Sequence, residues 1–301
     1  MTADVLTFGE TMAVLRAERP GPLRLGRSLA LGMAGAESTV AIGLSRLGHV
    51  ARWVGRVGAD EFGALVLDRL RAEGVDVRHA AVDPDAATGL LIREQRTADL
   101  ARVRYYRANS AGSRLRTTDL TDALVDGARL VLLSGITPAL SDTARAATSA
   151  VVAGGLPVCV DVNYRAQLWS RHTAADVLGP LAVQAMIVFG DADELALVGG
   201  PAALLAAGVR EVVVKAGERG ATVLTADGSW SAPARPVTVV DVIGAGDAFV
   251  AGYLSGWLDG LDPPARLDRA VTVAGFAISC FGDWEGLPTR AELDLSTRTD
   301  R

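Results

Sequence analysis

From Arg129 onward, short apolar runs alternate with stretches of helical period: Leu130 to Ser134, then Asp142 to Val152, then Pro157 to Val162. Strands separated by helices cannot pair as hairpins, so this alternation predicts parallel strands joined by right-handed crossovers, with helices flanking the sheet. Composition agrees: 50% of the residues are hydrophobic and only 5% aromatic, as suits a buried parallel sheet. At 301 residues the chain reads as one large α/β domain with an appendage. Ligands in such sheets bind beyond the carboxyl ends of the strands, so the segments that follow each strand are where chemistry is expected.

One of those segments is Asp241-Val242-Ile243-Gly244-Ala245-Gly246-Asp247-Ala248-Phe249. Val237 to Val240 is β-branched and reads as a strand, Asp247 to Leu258 carries apolar residues at helical spacing, and the two glycines sit at the switch. Gly244 and Gly246 let the backbone approach a ligand, and the amides of residues 244 to 247, with the positive end of the helix dipole, form a receptor for negative charge. Asp247 stands in the first turn beside them. An ionised carboxylate there can take the proton from a substrate hydroxyl while the amides hold charge on a transferred phosphoryl group. Acidic residues and glycines are also common at helix starts for structural reasons, so GxGD alone does not decide the matter. The G-x-x-x-x-G-K-[ST] loop is absent from the sequence, which leaves phosphate binding to this turn.

A net charge of −5 gives no global attraction to nucleic acid or to an anionic membrane. Cys159 and Cys280 lie far apart in apolar sequence and read as buried thiols, and three histidines offer little for a metal site. With no basic leader and no run of membrane-spanning length, the expected setting is cytoplasmic.

The run DVIGAGDAFVAG resembles the C-terminal signature of the ribokinase-like (PfkB) carbohydrate kinases, and AGAESTVAIGLSRLGHVARWVGRVGADEFG resembles their N-terminal signature. The resemblance runs from Asp4 to about Leu293. It implies a single ribokinase-like kinase domain over residues 1–301, with a small β-sheet lid from about 12–31 and 88–107. It makes Asp247 the catalytic base and Gly244, Ala245 and Gly246 the anion hole, with ATP and Mg2+ as cofactors. Gly35 through Thr39, with Gly35, Ala36 and Thr39 foremost, become contacts to the sugar, although the family commonly has Asn where Thr39 stands. Gly55, Gly58, Asp60 and Gly63 read as turn and cap residues of a helix from Glu61 to Arg71.

Thr88 to Glu94 and Ala101 to Arg107 alternate as strands around a polar turn at Arg96 to Leu100, a hairpin that places Tyr105 and Arg107 on one face. The run YYRANSAGS that begins at Tyr105 is similar to 2-keto-3-deoxygluconate kinases, and a guanidinium grips a carboxylate through two hydrogen bonds. Asp161, Asn163 and Arg165 alternate onto one side if the strand continues, with a salt bridge inside the set as the structural alternative. DVNYRAQLW resembles the same subgroup. Arg165 is thereby a second candidate for the carboxylate of an acid sugar or for a nucleotide phosphate, and Asn163 falls to the nucleotide side.

By the same resemblance, Glu194 organises the water shell of magnesium, with Asp191 standing where the family has Asn. Lys215, Gly217 and Gly220, in a turn that also reads as a plain hairpin, lie against the nucleotide. Ala274 and Gly275, on a helix from Leu267 to Phe281, lie near adenine, and Asp283 touches the substrate. A monovalent-cation site near the central motif and a homodimer through the lid are further features of the family. The expected activity is transfer of the ATP γ-phosphoryl group to an acid sugar, 2-keto-3-deoxygluconate first. The alternatives are a fructose, ribose or nucleoside kinase, and a nucleotide- or sugar-binding regulator.

Overall fold

The computed structural model describes residues 2–97 and 100–297. The chain begins with β1 (Ala3–Phe8), β2 (Met12–Ala17), β3 (Leu29–Ala34) and α1 (Ala36–Arg46), then β4 (Ala51–Val54), β5 (Arg56–Gly58) and α2 (Glu61–Ala72). It continues through β6 (Ala81–Asp83), β7 (Leu90–Gln95), β8 (Ala101–Tyr106), α3 (Thr117–Val125), β9 (Ala128–Ser134), α4 (Asp142–Ala153) and β10 (Val158–Asp161). Then come α5 (Arg171–Ala182), β11 (Ile187–Gly190), α6 (Ala192–Leu197), α7 (Pro201–Ala206) and β12 (Glu211–Lys215). Last are β13 (Ala221–Thr225), β14 (Gly228–Ala232), α8 (Ala245–Leu258) and α9 (Pro263–Ile278).

The expected parallel sheet is present, in the order β14-β13-β12-β11-β10-β9-β1-β4, parallel from β4 to β12 and antiparallel at the β12-β13-β14 edge. Successive strand residues serve opposite faces. Leu130 and Leu132 pack with α1, α2, α8 and α9, while Val131 and Leu133 pack with α3, α4 and α5. Such strands must be apolar at every position, which is why the sequence shows runs and not alternation.

Helix starts follow local chemistry. Asp60 caps α2 by accepting from the Gly63 amide at 2.7 Å, and Asp262 caps α9 ahead of Pro263 and Pro264. α1 and α8 cross at Gly43, where a Cβ would come within 2.7 Å of the Ala251 methyl. The glycine lets two helices that both reach the cleft approach with no gap.

A second sheet, β3-β2-β7-β8, is built from the two expected segments, with β2 parallel to β7 and β7 antiparallel to β8. Its first part runs on to Ala34 instead of ending near residue 31. Of the turn expected at 96–100, Ala98 and Asp99 lie outside the described residues.

The structure corrects two readings. Val237 to Val240 forms no strand: the Val240 and Asp241 amides donate to the Ile278 carbonyl at 2.8 and 3.2 Å, and Val239 is 56% exposed. The C-terminal end of α9 takes the backbone groups that a neighbouring strand would need, so β propensity has nothing to pair with. Cys280 is exposed, in contrast to buried Cys159, because α9 ends at Ile278, short of the expected Phe281, and the chain turns outward. No helix among the described residues is long and apolar enough to cross a membrane.

Candidate active site

The carboxyl ends of β1, β9, β10, β11 and β12 and the start of α8 face one region, and the small sheet borders it from the other side. Between them lies a cavity of about 760 Å³. Its wall includes Gly35 and Ala36 from the start of α1, Tyr105 and Arg107 from β8 and the residue after it, Arg165 beyond β10, Gly244 and Asp247 at α8, and Asp283. Eight positions singled out in sequence, spread over 249 residues of chain, are thus brought together.

Gly244 is the residue before α8, with φ +75°, and a Cβ there would meet the Asp283 carbonyl oxygen at 2.1 Å. Only glycine fits this left-handed and crowded position. Among the described residues no hydrogen bond engages the amides of Gly244, Gly246 or Asp247, while the Ala245 amide has a long bond to Val242 at 3.4 Å. Free amides at a helix start are an anion receptor.

Burial lifts the Asp247 carboxyl to about 6, the Asp161 charge pushes the same way, and Arg165 and Lys215 pull back. It therefore stays ionised at neutral pH but close enough to titration to take and release a proton. Asp283 rises to about 7, through burial first and then repulsion from Asp247 and Glu285.

Arg107 is held by Glu10: Oε2 accepts from Nε at 2.7 Å and from Nη2 at 2.6 Å, and Ser110 Oγ donates to Oε1. The guanidinium lies 5.6 Å from the Tyr105 ring centroid. Arg165 is exposed, and its described hydrogen bond is to its own neighbour's carbonyl, Tyr164 O, at 3.1 Å. No salt bridge forms inside the 161–165 set. Asp161 pairs with Lys215 Nζ at 2.7 Å, and strand geometry stops at Asp161, with Asn163 at φ +41°.

Asn163 is buried against Ser134 and faces a small space of about 10 Å³ shared with Asp161 and Asp247, not the open cleft. The Lys215 ammonium lies 3.7 Å from where a Cβ on Gly246 would stand, beside the receptor.

Glu194 accepts from the Tyr164 amide at 2.9 Å and from the Asp191 amide at 3.0 Å, closing a capping box with Asp191. Burial raises its carboxyl, Lys215 lowers it and Asp161 raises it. The described residues contain no group of three His, Cys, Asp or Glu placed to hold a metal. The acids near the turn are nonetheless close enough to repel one another, and a magnesium ion carried on phosphate oxygens and water would relieve that repulsion.

Other candidates lie elsewhere. Thr39 is fully buried, its hydroxyl lacks a partner, and it does not reach the cavity wall. Glu37, from the same turn, does: it accepts from Thr137 Oγ1 at 2.5 Å, and burial raises it to about 7. A helix presents positions 36 and 37 to the cleft and turns 39 inward, a phase that the motif alone does not fix. Gly217, Gly220, Ala274 and Gly275 are absent from the cavity wall, and Gly275 faces Arg235 and Val237. Glu10, which no motif marks, also lines the cavity, just beyond the carboxyl end of β1 where the rule for such sheets places ligand contacts.

Comparison with known proteins agrees with the geometry. Residues 2–290 match the pfkB family carbohydrate kinase. The chain is 35% identical to the 2-dehydro-3-deoxygluconokinase of Bacillus subtilis (strain 168), over 97% of this chain and 95% of that one. It is 34% identical to the enzyme of the same name from Thermoproteus tenax, over 97% and 93%. The crystal structure of a PfkB protein from Polaromonas sp. JS666 superposes with a TM-score of 0.87 at 35% identity, over 97% and 99%. With that family's model matched over residues 2–290 and the signature turn folded as the sequence implies, the chain belongs to the pfkB family of carbohydrate kinases.

Proposed function

We propose that this sugar kinase transfers the γ-phosphoryl group of ATP to a hydroxyl of an acid sugar, 2-keto-3-deoxygluconate or a close stereoisomer. The observation that carries the reading is the presence of two arginines, Arg107 and Arg165, on the wall of the cavity that holds Asp247. Arg107 keeps its Nη1 side free of described partners, and a carboxylate can take it. A neutral sugar offers no charge to pair with the free edge of Arg107 or with Arg165.

In this reading Asp247 accepts the hydroxyl proton, the amides of residues 244 to 247 receive the phosphoryl oxygens, and Lys215 adds charge beside them. Gly35, Ala36, Tyr105 and Asp283 shape the sugar side. The turn at Gly217 to Gly220, with Asn163, Ala274 and Gly275, serves the nucleotide side. Magnesium neutralises the phosphates, with Glu194 reaching it through water. A monovalent cation near the central motif completes the set of ions, held by groups other than the Asp241 carboxylate, which is paired with Arg93.

The β3-β2-β7-β8 sheet acts as a lid over the sugar, part of one kinase domain, and excludes water that would compete for the phosphoryl group. Leu31 and Tyr106, both more than half exposed on that sheet, suit a homodimer formed through it. Use of ATP fits a cytoplasmic setting.

The test is a panel of 2-keto-3-deoxygluconate, 2-keto-3-deoxygalactonate, fructose, ribose and a nucleoside, with ADP release as readout. A kcat/KM at least about tenfold higher for a keto-acid supports the reading, since a lost charged contact costs at least that much. Equal or better turnover of a neutral sugar overturns it.

A further inference from the structure

We propose that Arg93 is a positioning residue for phosphoryl transfer: it reaches from the lid to Asp241 and sets the anion-binding turn only while the lid is seated. The inference rests on the kinase reading of that turn and goes beyond it.

Arg93 stands on β7, paired with Arg16 of β2 on one side and with Val103 of β8 on the other, well inside the small sheet. Its guanidinium meets both oxygens of Asp241, Nη2 to Oδ1 at 2.9 Å and Nη1 to Oδ2. The two side chains are 11% and 1% exposed. Asp241 belongs to neither the lid nor α8. Its carboxylate also accepts from the Ile243 amide at 3.2 Å, inside the turn, and from the Gly282 amide at 3.2 Å, in the loop beyond α9.

One carboxylate therefore ties three segments: the lid strand, the turn that presents the free amides, and the 282–283 loop whose Asp283 carbonyl packs on Gly244. One bidentate guanidinium on a buried acid gives a fixed angle as well as a contact. Without Arg93, Asp241 is left as a buried, partly unpaired charge. The two weaker amide bonds cannot hold it, so the turn loses the orientation in which its amides meet the phosphoryl oxygens.

Every sugar kinase must keep its phosphoryl donor from water until the acceptor is enclosed. Here the enclosing sheet and the receptor share one ion pair. Lifting β7 withdraws the charge that fixes the turn, so an open lid leaves the receptor unset and hydrolysis of ATP is suppressed.

The test is steady-state kinetics of the full chain with Arg93→Ala, Arg93→Lys, Asp241→Asn and the Arg93→Ala/Asp241→Asn double variant, alongside hydrogen exchange of the turn peptide. For Arg93→Ala, kcat should fall at least about tenfold while KM for ATP and for the sugar moves less than about threefold, the signature of an interaction used in the transition state. Arg93→Lys should recover part of the loss, and added guanidinium ion should raise turnover of Arg93→Ala several-fold and leave the wild type unmoved. The double variant should lose no more than the worse single variant, and exchange at residues 243–247 should quicken.

A kcat within about threefold of wild type, a defect confined to KM, or losses that multiply in the double variant overturn the proposal. Should Arg93→Ala fail to fold, Arg93→Gln, which removes the charge but keeps a polar side chain, decides by the same kcat criterion. All of these are read on whichever sugar the wild-type enzyme accepts, so a neutral acceptor would sink the substrate reading and leave this one to its own result.

Discussion

Glu10 holds Arg107 by one edge of the guanidinium, through Nε at 2.7 Å and Nη2 at 2.6 Å, with the carboxylate side chain 1% exposed. The pair does two things at once. It neutralises a charge inside the cleft, and it fixes the plane in which the remaining Nη1 hydrogens point. Among the described residues Arg165 has no such acidic partner. The two arginines that face the cavity are therefore unequal in what they do for the fold.

That inequality separates their variants. Arg107→Met leaves Glu10 buried and uncompensated, so it should lower stability by about 3 kcal/mol as well as raise KM for an acid sugar. Arg165→Met should raise KM with a thermal midpoint close to that of the wild type, since exposed charges contribute about 0 to 1 kcal/mol. Paired melting curves and KM values for the two variants check this. Equal midpoints would remove the structural role of Glu10.

Asp247→Asn should fold and bind both substrates but lose about 10²- to 10⁴-fold in kcat, the usual contribution of a positioned general base. The amide keeps the shape and hydrogen-bonding reach of the side chain but cannot accept the hydroxyl proton. Single-turnover kinetics with saturating sugar make the measurement, and a loss below about tenfold would remove the residue from that role.

The pH profile follows from the Asp247 carboxyl at about 6. A base works only when deprotonated, so kcat/KM should rise with pH through about 6 and level off above it. Arg165 favours the charged form of Asp247, hence Arg165→Met should move this acid limb to higher pH. A limb that stays in place in that variant would show that another group titrates there.

Two glycines of positive φ give a contrast. Gly244→Ala puts a methyl 2.1 Å from the Asp283 carbonyl at φ +75°, whereas Gly217→Ala, at φ +59°, meets nothing within 4 Å. The first should displace the turn and abolish most turnover, in addition to the strain. The second should cost the left-handed penalty of about 1–2 kcal/mol in stability, with any functional effect falling on KM for ATP and not on kcat. Urea unfolding and kcat for both variants decide it.

Much of this fold is readable in the amino-acid order, because strands buried on both faces must be apolar at consecutive positions, and β9, β10, β11 and β12 are. The valines at 237–240 show where that reasoning fails. A β-branched run becomes a strand only beside a partner, and here the α9 carbonyl took the role of one. The site was readable wherever a short motif fixes its own geometry, as at Gly244 to Asp247. It was not readable where tertiary pairing chooses. Nothing local joins Arg93 to Asp241 across 148 positions, or sends Asp161 to Lys215 in place of Arg165. Thr39 and Glu37 lie two residues apart on one helix, and only the packing of α1 shows which of them faces the cleft.

The crossing of α1 and α8 at Gly43 and Ala251 has a bearing on how acceptor range can be altered. Because backbone meets methyl there with no slack, the wall that carries Gly35 and Ala36 and the wall that carries Asp247 behave as a single rigid jaw. Enlarging that jaw would displace Asp247 itself. Selection for new acceptors, in nature or in the laboratory, has its freedom on the opposite jaw, in the residues of β7, β8 and the loop that follows.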